Sequence, residues 1–494
     1  MTTRTTSQPV SNPSTSVAKW VLAVLAIIVL LIAAILVNEY YSSPTSGQID
    51  SGISTDNGDT KISWERYNTY EVELSTSYTI TGSGVYHFTG KLEDGAIIIN
   101  TNSEGVVKLI LDQVTIKNSS GPAIVCYSSD DLVIESIGEN YLEDGKSYDK
   151  AYDEDVKGAI YSKADLTFEG EGTINLTANF QDGIVGKDDV KFASGEYNIT
   201  AADDAIRGED SVYIVDGYFD IVAKGDGIKS TNDTTIGKGF ILIEGGDMKI
   251  ATGDDGIHAK RSLIINNGNI NITKSYEGLE AQNILINNGE ISIVASDDGI
   301  NAGGGSDSTN QTSTTGSDAN CILTIEGGNI YINASGDGMD SNGYIHFNGG
   351  NVIIDGPTNN GNGALDAGIS INQTGGIVLA VGSSGMAETL GSASSIYNIS
   401  VYFDTTIAAD TKITIKDSVD RIVMSHAPTK AFNHLAFGTE DFVLGETYTI
   451  YLDDEKYESF TITDIITTIG NSSINQQNMM PPNNRPGGPG QNKL

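Results

Sequence analysis

A short acidic corner recurs through the middle of the chain: QDGIV at Gln181–Val185, DDAIR at Asp203–Arg207, GDGIK at Gly225–Lys229, DDGIH at Asp254–His258, YEGLE at Tyr276–Glu280, DDGIN at Asp297–Asn301 and GDGMD at Gly336–Asp340. Its acids fall at Asp182, Asp204, Asp226, Asp255, Glu277, Asp298 and Asp337, in steps of 22, 22, 29, 22, 21 and 39. Like positions on stacked coils lie about 4.8 Å apart, and carboxylates at that spacing repel unless a proton or a cation intervenes. At neutral pH the cation that suits such a column is Ca2+, a hard ion that takes about six to eight oxygens from carboxylates, amide side chains and carbonyls. The doubled acids Asp203–Asp204, Asp254–Asp255 and Asp297–Asp298 add donors. A second ladder lies at the third position after the corner from Asp204 onward: Arg207, Lys229, His258, Glu280, Asn301, Asp340 and Asp366. The candidate metal ligands are therefore Asp182, Asp203, Asp204, Asp226, Asp254, Asp255, Glu277, Glu280, Asp297, Asp298, Asp337 and Asp340.

The competing account of each corner is a simple turn, because Asp bonds its own backbone and Gly accepts positive φ. His258, a single histidine among acids, reads as a surface side chain rather than a zinc ligand. The chain holds no H-x-x-x-H, C-x-x-C, G-x-S-x-G or phosphate-binding loop.

A second marker tests whether the corners form a true repeat. Gly195, Gly217, Gly246, Gly268, Gly289 and Gly328 step by 22, 29, 22, 21 and 39, matching the acids one for one. Each unit runs from the corner to an inward Ile, through a run such as LIIN, to Gly and an alternating stretch such as GNINIT. Fifty-seven glycines and abundant Ile, Asn and Thr favour short strands with tight turns. The expected fold is an all-β, right-handed parallel β-helix of about 22 residues per coil, with a perimeter of roughly 70 Å. Its inward ladder is Ile184, Ile206, Ile228, Ile257, Leu279, Ile300, Met339 and Leu365. The longest step contains the polar loop Gly303–Asp318.

The parts around the repeat set its compartment. Residues 1–19 read as a cytoplasmic tail, and Trp20–Val37 is an unbroken apolar run that predicts a transmembrane anchor with its basic side inside the cell. A linker (38–59), the β-helix (60–399), a β-rich C-terminal cap (400–466) and a disordered tail (467–494) follow. The expected location is the cell membrane, single-pass, with the β-helix extracellular. The 65 acids against 28 bases give a net charge of −37, which argues against a nucleic-acid partner. Cys126 and Cys321 read as two buried thiols.

The repeats ASDDGINA and ATGDDGIHA, the segment GNGALDAG, the stretch GGIVLAVGSSGMAE and the late GETYTIY resemble the calcium-binding β-helix proteins called carbohydrate-binding domain-containing proteins. The resemblance spans roughly Ile62–Asp464 and implies a fold related to that of pectate lyases, Ca2+ at the acidic corners, and a cellulose or acidic polysaccharide on an outer face. The chain departs from the motif at Glu277, where E-G-L replaces D-G-I, and at Gly363, where the acid is missing.

Two functions follow. One is a non-catalytic, Ca2+-dependent polysaccharide-binding protein, with Tyr213, Tyr218, Tyr331 and Tyr344 as stacking candidates. The other is a pectate-lyase-like enzyme with Lys229 as base and Arg207 beside it. A surface adhesin that binds protein through Gly303–Asp318 is a third reading.

Overall fold

The protein is described by a computed structural model over residues 62–102, 104–303 and 317–470. The tail 1–19, the anchor Trp20–Val37, the linker 38–59, most of the loop Gly303–Asp318 and the chain after residue 470 lie outside the described residues. Among the described residues no helix is long and apolar enough to cross a membrane. They all fall in one compact unit, Ile49–Leu494.

Apart from a 3-10 turn at Trp64–Arg66, the described elements are strands. A representative coil consists of Asp182–Gly186, Asp189–Phe192 and Glu196–Ala201. Each of its strands pairs in parallel with its counterpart one coil later: Ile184 with Ile206, Val190 with Val212, and Ile199 with Ile221. The third strand alternates outward Glu196, Asn198 and Thr200 with buried Tyr197, Ile199 and Ala201, the period of a sheet with one buried face. Parallel pairing of this kind runs from Thr69–Leu74 to Ile377–Gly382, and the chain is a solenoid over that length.

The predicted inward ladder holds without a break. Ile184, Ile206, Ile228, Ile257, Leu279, Ile300, Met339 and Leu365 are successive register partners, each no more than 1% exposed. Full burial of one such side chain is worth about 2 kcal/mol, an upper figure because the unfolded chain already hides some surface. Aromatic rings fill the early coils, with Phe168 stacked on Phe192 at 4.9 Å and Tyr197 on Phe219 at 5.0 Å.

The two long steps are both insertions between the first and second strands of a coil. Gly208 pairs with Ser230 while Ser211 pairs with Phe240, so the extra residues of the first lie at 231–239. Glu280 pairs with Asn301 while Asn283 pairs with Ile322, which puts the second after Ala302.

Glycine does two separate jobs. Gly195, Gly217, Gly246, Gly268, Gly289 and Gly328 have φ between 90° and 138° and turn the chain into the third strand. The corner glycines do not. Gly256 has no positive φ, and a Cβ there would sit 2.6 Å from both the Gly278 carbonyl oxygen and Ile272 Cδ1. The turn account of the Asp-Gly pair is therefore corrected: glycine is required at these corners because stacked backbones approach closely.

After Ile377–Gly382 the pairing reverses. Phe432–Gly438 joins that strand antiparallel and also pairs antiparallel with Asn398–Ile407. A separate antiparallel sheet is built from Ile422–His426, Ile413–Lys416, Thr447–Leu452 and Glu455–Thr461. A second apolar core, including Val401, Phe437, Phe442 and Phe460, fills the space between these strands. Within this region His434 is 2% exposed, with Nε2 2.9 Å from Ser400 Oγ.

Burial pushes the His434 imidazole down to about 4. Between that value and the unfolded value near 6.5, the unfolded chain binds more protons than the native one, so stability is full above pH ~6.5 and falls as the pH drops through the window. The loss is expected to reach about 3 kcal/mol near pH 4. Urea melts of the wild type and His434→Gln between pH 7 and pH 4 measure it; the variant should lose this component.

Candidate metal centre

The corner acids form a column tied through the backbone in two runs, Asp182 to Glu277 and Asp298 to Gly363. Asp182 Oδ1 accepts from the amide of Asp204 at 3.2 Å, Asp204 from Asp226 at 2.8 Å, Asp226 from Asp255 at 2.8 Å and Asp255 from Glu277 at 3.1 Å. The same bond joins Asp298 to Asp337 and Asp337 to Gly363, both at 2.6 Å. One oxygen of each aspartate thus satisfies a main-chain donor of the next coil. The other oxygen faces the second ladder, whose members Arg207, Lys229, His258, Glu280, Asn301, Asp340 and Asp366 are successive register partners.

In the early coils the second ladder supplies counter-ions. Arg207 Nη2 lies 2.5 Å from Asp182 Oδ2, and Lys229 Nζ lies 2.5 Å from Asp226 Oδ2 and 3.9 Å from Asp204 Oδ2. Burial pushes the Asp182 carboxyl up to about 7, against the pull of Arg207. Burial alone would lower the Lys229 ammonium, but Asp226 and Asp204 outweigh it and hold it well above the ordinary lysine value. In this arrangement Lys229 is the counter-ion of Asp226 and Asp204, and it would have to lose its proton before acting as the base of an elimination.

His258 is not at the surface. It is 5% exposed, and its Nδ1 lies 3.2 Å from Glu280 Oε2, 3.4 Å from Asp255 Oδ2 and 3.8 Å from Asp226 Oδ2. The expectation of an exposed ring is overturned because the outer ladder here lies beneath its neighbours. Burial would raise Asp255, yet the hydrogen bond and charge of His258 hold it below the usual carboxylate range.

In the later coils the ladder is acidic on both sides. Asp298, Asp337 and Asp340 offer oxygens that all lie within 4.8 Å of one another, and so do Asp255, Glu277 and Glu280. Burial, then Asp337 and Asp340, push the Asp298 carboxyl up to about 8. Burial, then Asp366 and Asp337, push Asp340 up to about 7. Burial and the charges of Glu280, Asp255 and Asp298 raise Glu277. Between the two acid groups stands Asn301, whose Nδ2 donates to both Glu277 oxygens at 3.2 and 3.1 Å. Its Oδ1 is buried with no hydrogen-bond partner among the described residues. An orphaned amide oxygen beside convergent carboxylates fits a hard cation.

The leading members of the doubled acids stand outside the column. Asp203 is exposed, Asp254 and Asp297 are half-buried, and Asp297 accepts a hydrogen bond from Tyr276. Of the four nominated tyrosines, Tyr218 is 43% exposed, Tyr213 is buried, Tyr331 bonds Asp355 and Tyr344 stacks on His346. Tyr276, 47% exposed at the corner itself, was visible in YEGLE and is better placed. A further group, Asp165, Asp188 and Asp189, lies at the start of the second strands, with Lys238 Nζ 3.6 Å from Asp188. Its signal in the sequence was the step of 24 from Asp165 to Asp189.

Comparison with known proteins agrees with the resemblance. Residues 75–318 match the model of the family described as carbohydrate-binding domain-containing protein. The resemblance to that family is shown. A relative of that name from Acetivibrio thermocellus is 34% identical over 161 residues, which are 31% of this chain and 56% of the relative. The chain thus spans a little over half the length of that curated relative. A solved structure of a polysaccharide lyase-like protein from C. thermocellum, a gadolinium derivative, is 30% identical, with a TM-score of 0.42, covering 44% of this chain and 96% of that one. The stretch matched to the carbohydrate-binding domain-containing family takes in the corners from Asp182 to Asp298 and ends before Asp337 and Asp340.

Removing Lys229 tests whether it is a counter-ion. Lys229→Ala should cost up to about 3 kcal/mol in urea unfolding, because it strands Asp226 and Asp204 as buried like charges. Adding Asp226→Asn to Lys229→Ala should recover much of that loss.

Proposed function

We propose that the chain is a non-catalytic, calcium-dependent polysaccharide-binding protein displayed on the cell surface. The observation that carries the reading is the approach of Asp298, Asp337 and Asp340 within 4.8 Å, with Asn301, the register partner of Asp340, holding a buried Oδ1 that has no hydrogen-bond partner among the described residues. The donors are all oxygen, as Ca2+ requires, and carboxylates from adjacent coils raise one another's affinity for positive charge. Asp182 and Asp204 are assigned to Arg207 and Lys229 rather than to metal. A bound ion open to solvent would also take a uronate carboxylate of an acidic glycan, overcoming the repulsion of a chain with net charge −37. Tyr276 offers a ring for stacking against a sugar face beside it.

The coil is assigned the right hand, the strong preference for crossovers between parallel strands of one sheet. Trp20–Val37 is assigned as the anchor that holds the solenoid outside the membrane. Lys229, nominated as the base of a lyase, is paired with Asp226, which favours the binding reading over the elimination.

Calcium should raise the thermal midpoint by on the order of 5 °C, and a chelator should reverse it. Asp298→Asn with Asp340→Asn should abolish the shift. Asp298 and Asp340 bind protons more tightly folded than unfolded, so metal-free stability falls as the pH rises from ~4 through about 8. The calcium increment should therefore be larger at pH 8 than at pH 5. Pull-down on insoluble cellulose and pectin, with and without Ca2+, tests the glycan; retention on neither polymer refutes the carbohydrate reading. Tyr276→Ala should weaken retention about tenfold, or ~1.4 kcal/mol, without altering the calcium shift.

A further inference from the structure

The acid column changes character at His258, where a nitrogen donor enters it. Asp255 lies three residues before His258 on the same coil, and Glu280 is the register partner of His258 on the next. Nδ1 of His258 faces Glu280 Oε2 at 3.2 Å and Asp255 Oδ2 at 3.4 Å, with Asp226 Oδ2 behind them at 3.8 Å. A four-coordinate ion with bonds of about 2.0–2.1 Å has donor-to-donor edges of roughly 3.3–3.4 Å. The two short distances match those edges.

We propose that His258 Nδ1, Asp255 Oδ2 and Glu280 Oε2 form a second metal site, of mixed nitrogen and oxygen donors, selective for a borderline divalent ion such as Zn2+ over Ca2+.

Charge favours the ion over a proton. Lys229 answers Asp226 at 2.5 Å, which leaves the charges of Asp255, Glu280 and the neighbouring Glu277, whose oxygens lie within 4.8 Å of one another. An imidazolium offsets one of them and a divalent ion two. Against burial, Asp255, Glu280 and Asp226 hold the His258 ring above its ordinary value, so an ion binds by displacing the Nδ1 proton. Nε2 on the far side of the ring is buried with no hydrogen-bond partner among the described residues. Asp226 is 1% exposed, and its Oδ2 is held by the Lys229 ammonium at 2.5 Å. It is the nearest further donor for the fourth position.

Selectivity follows from the same crowding. Ca2+ needs about six to eight oxygens at 2.3–2.6 Å, and a buried corner that contributes an imidazole and shares Asp226 with an ammonium cannot supply them. A softer, smaller ion accepts three protein donors and a fourth position. The Glu280 side chain, 18% exposed against 6% for His258, marks the side by which the ion enters. The site stands apart from the all-oxygen group at Asp298, Asp337 and Asp340, so it does not depend on the calcium reading.

Titration of the metal-stripped full chain with Co2+ in excess Ca2+ tests the proposal. The expected result is one equivalent bound with the intense visible absorption of a four-coordinate site, bleached by Zn2+. His258→Gln should abolish that absorption, and Glu280→Gln should weaken Co2+ at least tenfold if His258→Gln fails to fold. Asp298→Asn should leave it intact while reducing calcium stabilisation. A weak six-coordinate spectrum, displacement of Co2+ by Ca2+, or absorption unchanged in both His258→Gln and Glu280→Gln would overturn it.

Discussion

Everything in this molecule follows from stacking like on like at the spacing of a parallel sheet. A residue type placed at one position of the coil meets its copies above and below at about 4.8 Å. For Ile184, Ile206 and Ile228 the repetition accumulates apolar contact and builds the core. For Asp182, Asp204 and Asp226 the same repetition accumulates charge, and burial within a few per cent of completeness leaves little solvent to screen it. A solenoid gains stability from one column and must find counter-charge for the other.

Different coils answer that demand differently. The outer row beside the acids begins apolar, with Ile98, Val125, Tyr161 and Val185 in register, and the segment between Glu143 and Gly158 packs Tyr148, Tyr152 and Val156 against it. It becomes basic at Arg207 and Lys229, passes through His258, and turns to oxygen donors at Glu280, Asn301, Asp340 and Asp366. One row of one sheet thus carries a covered surface, a set of resident counter-ions and a cation-seeking end. The side chain at a single coil position decides which.

The repeat was legible because two unrelated markers, the acids and the turn glycines, step together, and only a stacked fold makes them do so. The second ladder was legible for the same reason. What the sequence did not disclose was depth. His258 sits among acids in the text and looked solvated, while in three dimensions the neighbouring coils bury it. The Asp-Gly pair was ambiguous in another way: the same dipeptide serves a positive-φ turn and a tight stacking contact, and only the backbone at Gly256 distinguishes them. The doubled acids misled by counting, since Asp203, Asp254 and Asp297 add charge in the sequence but stand outside the column.

The carboxylate is more than the stack itself requires. Holding the next coil's amide takes one acceptor oxygen, and an asparagine Oδ1 would serve. Gly363, where the acid is missing, still receives the Asp337 oxygen and closes the column without contributing one. The surplus is therefore the second oxygen and its charge. In the early coils Arg207 and Lys229 consume that surplus and turn it into internal ion pairs. In the later coils carboxylate faces carboxylate, and burial, reinforced by that surplus, raises Asp298 and Asp340 toward protonation. A column built of aspartate where asparagine would suffice, and acidic on its outer row, is the feature on which the proposed calcium site rests.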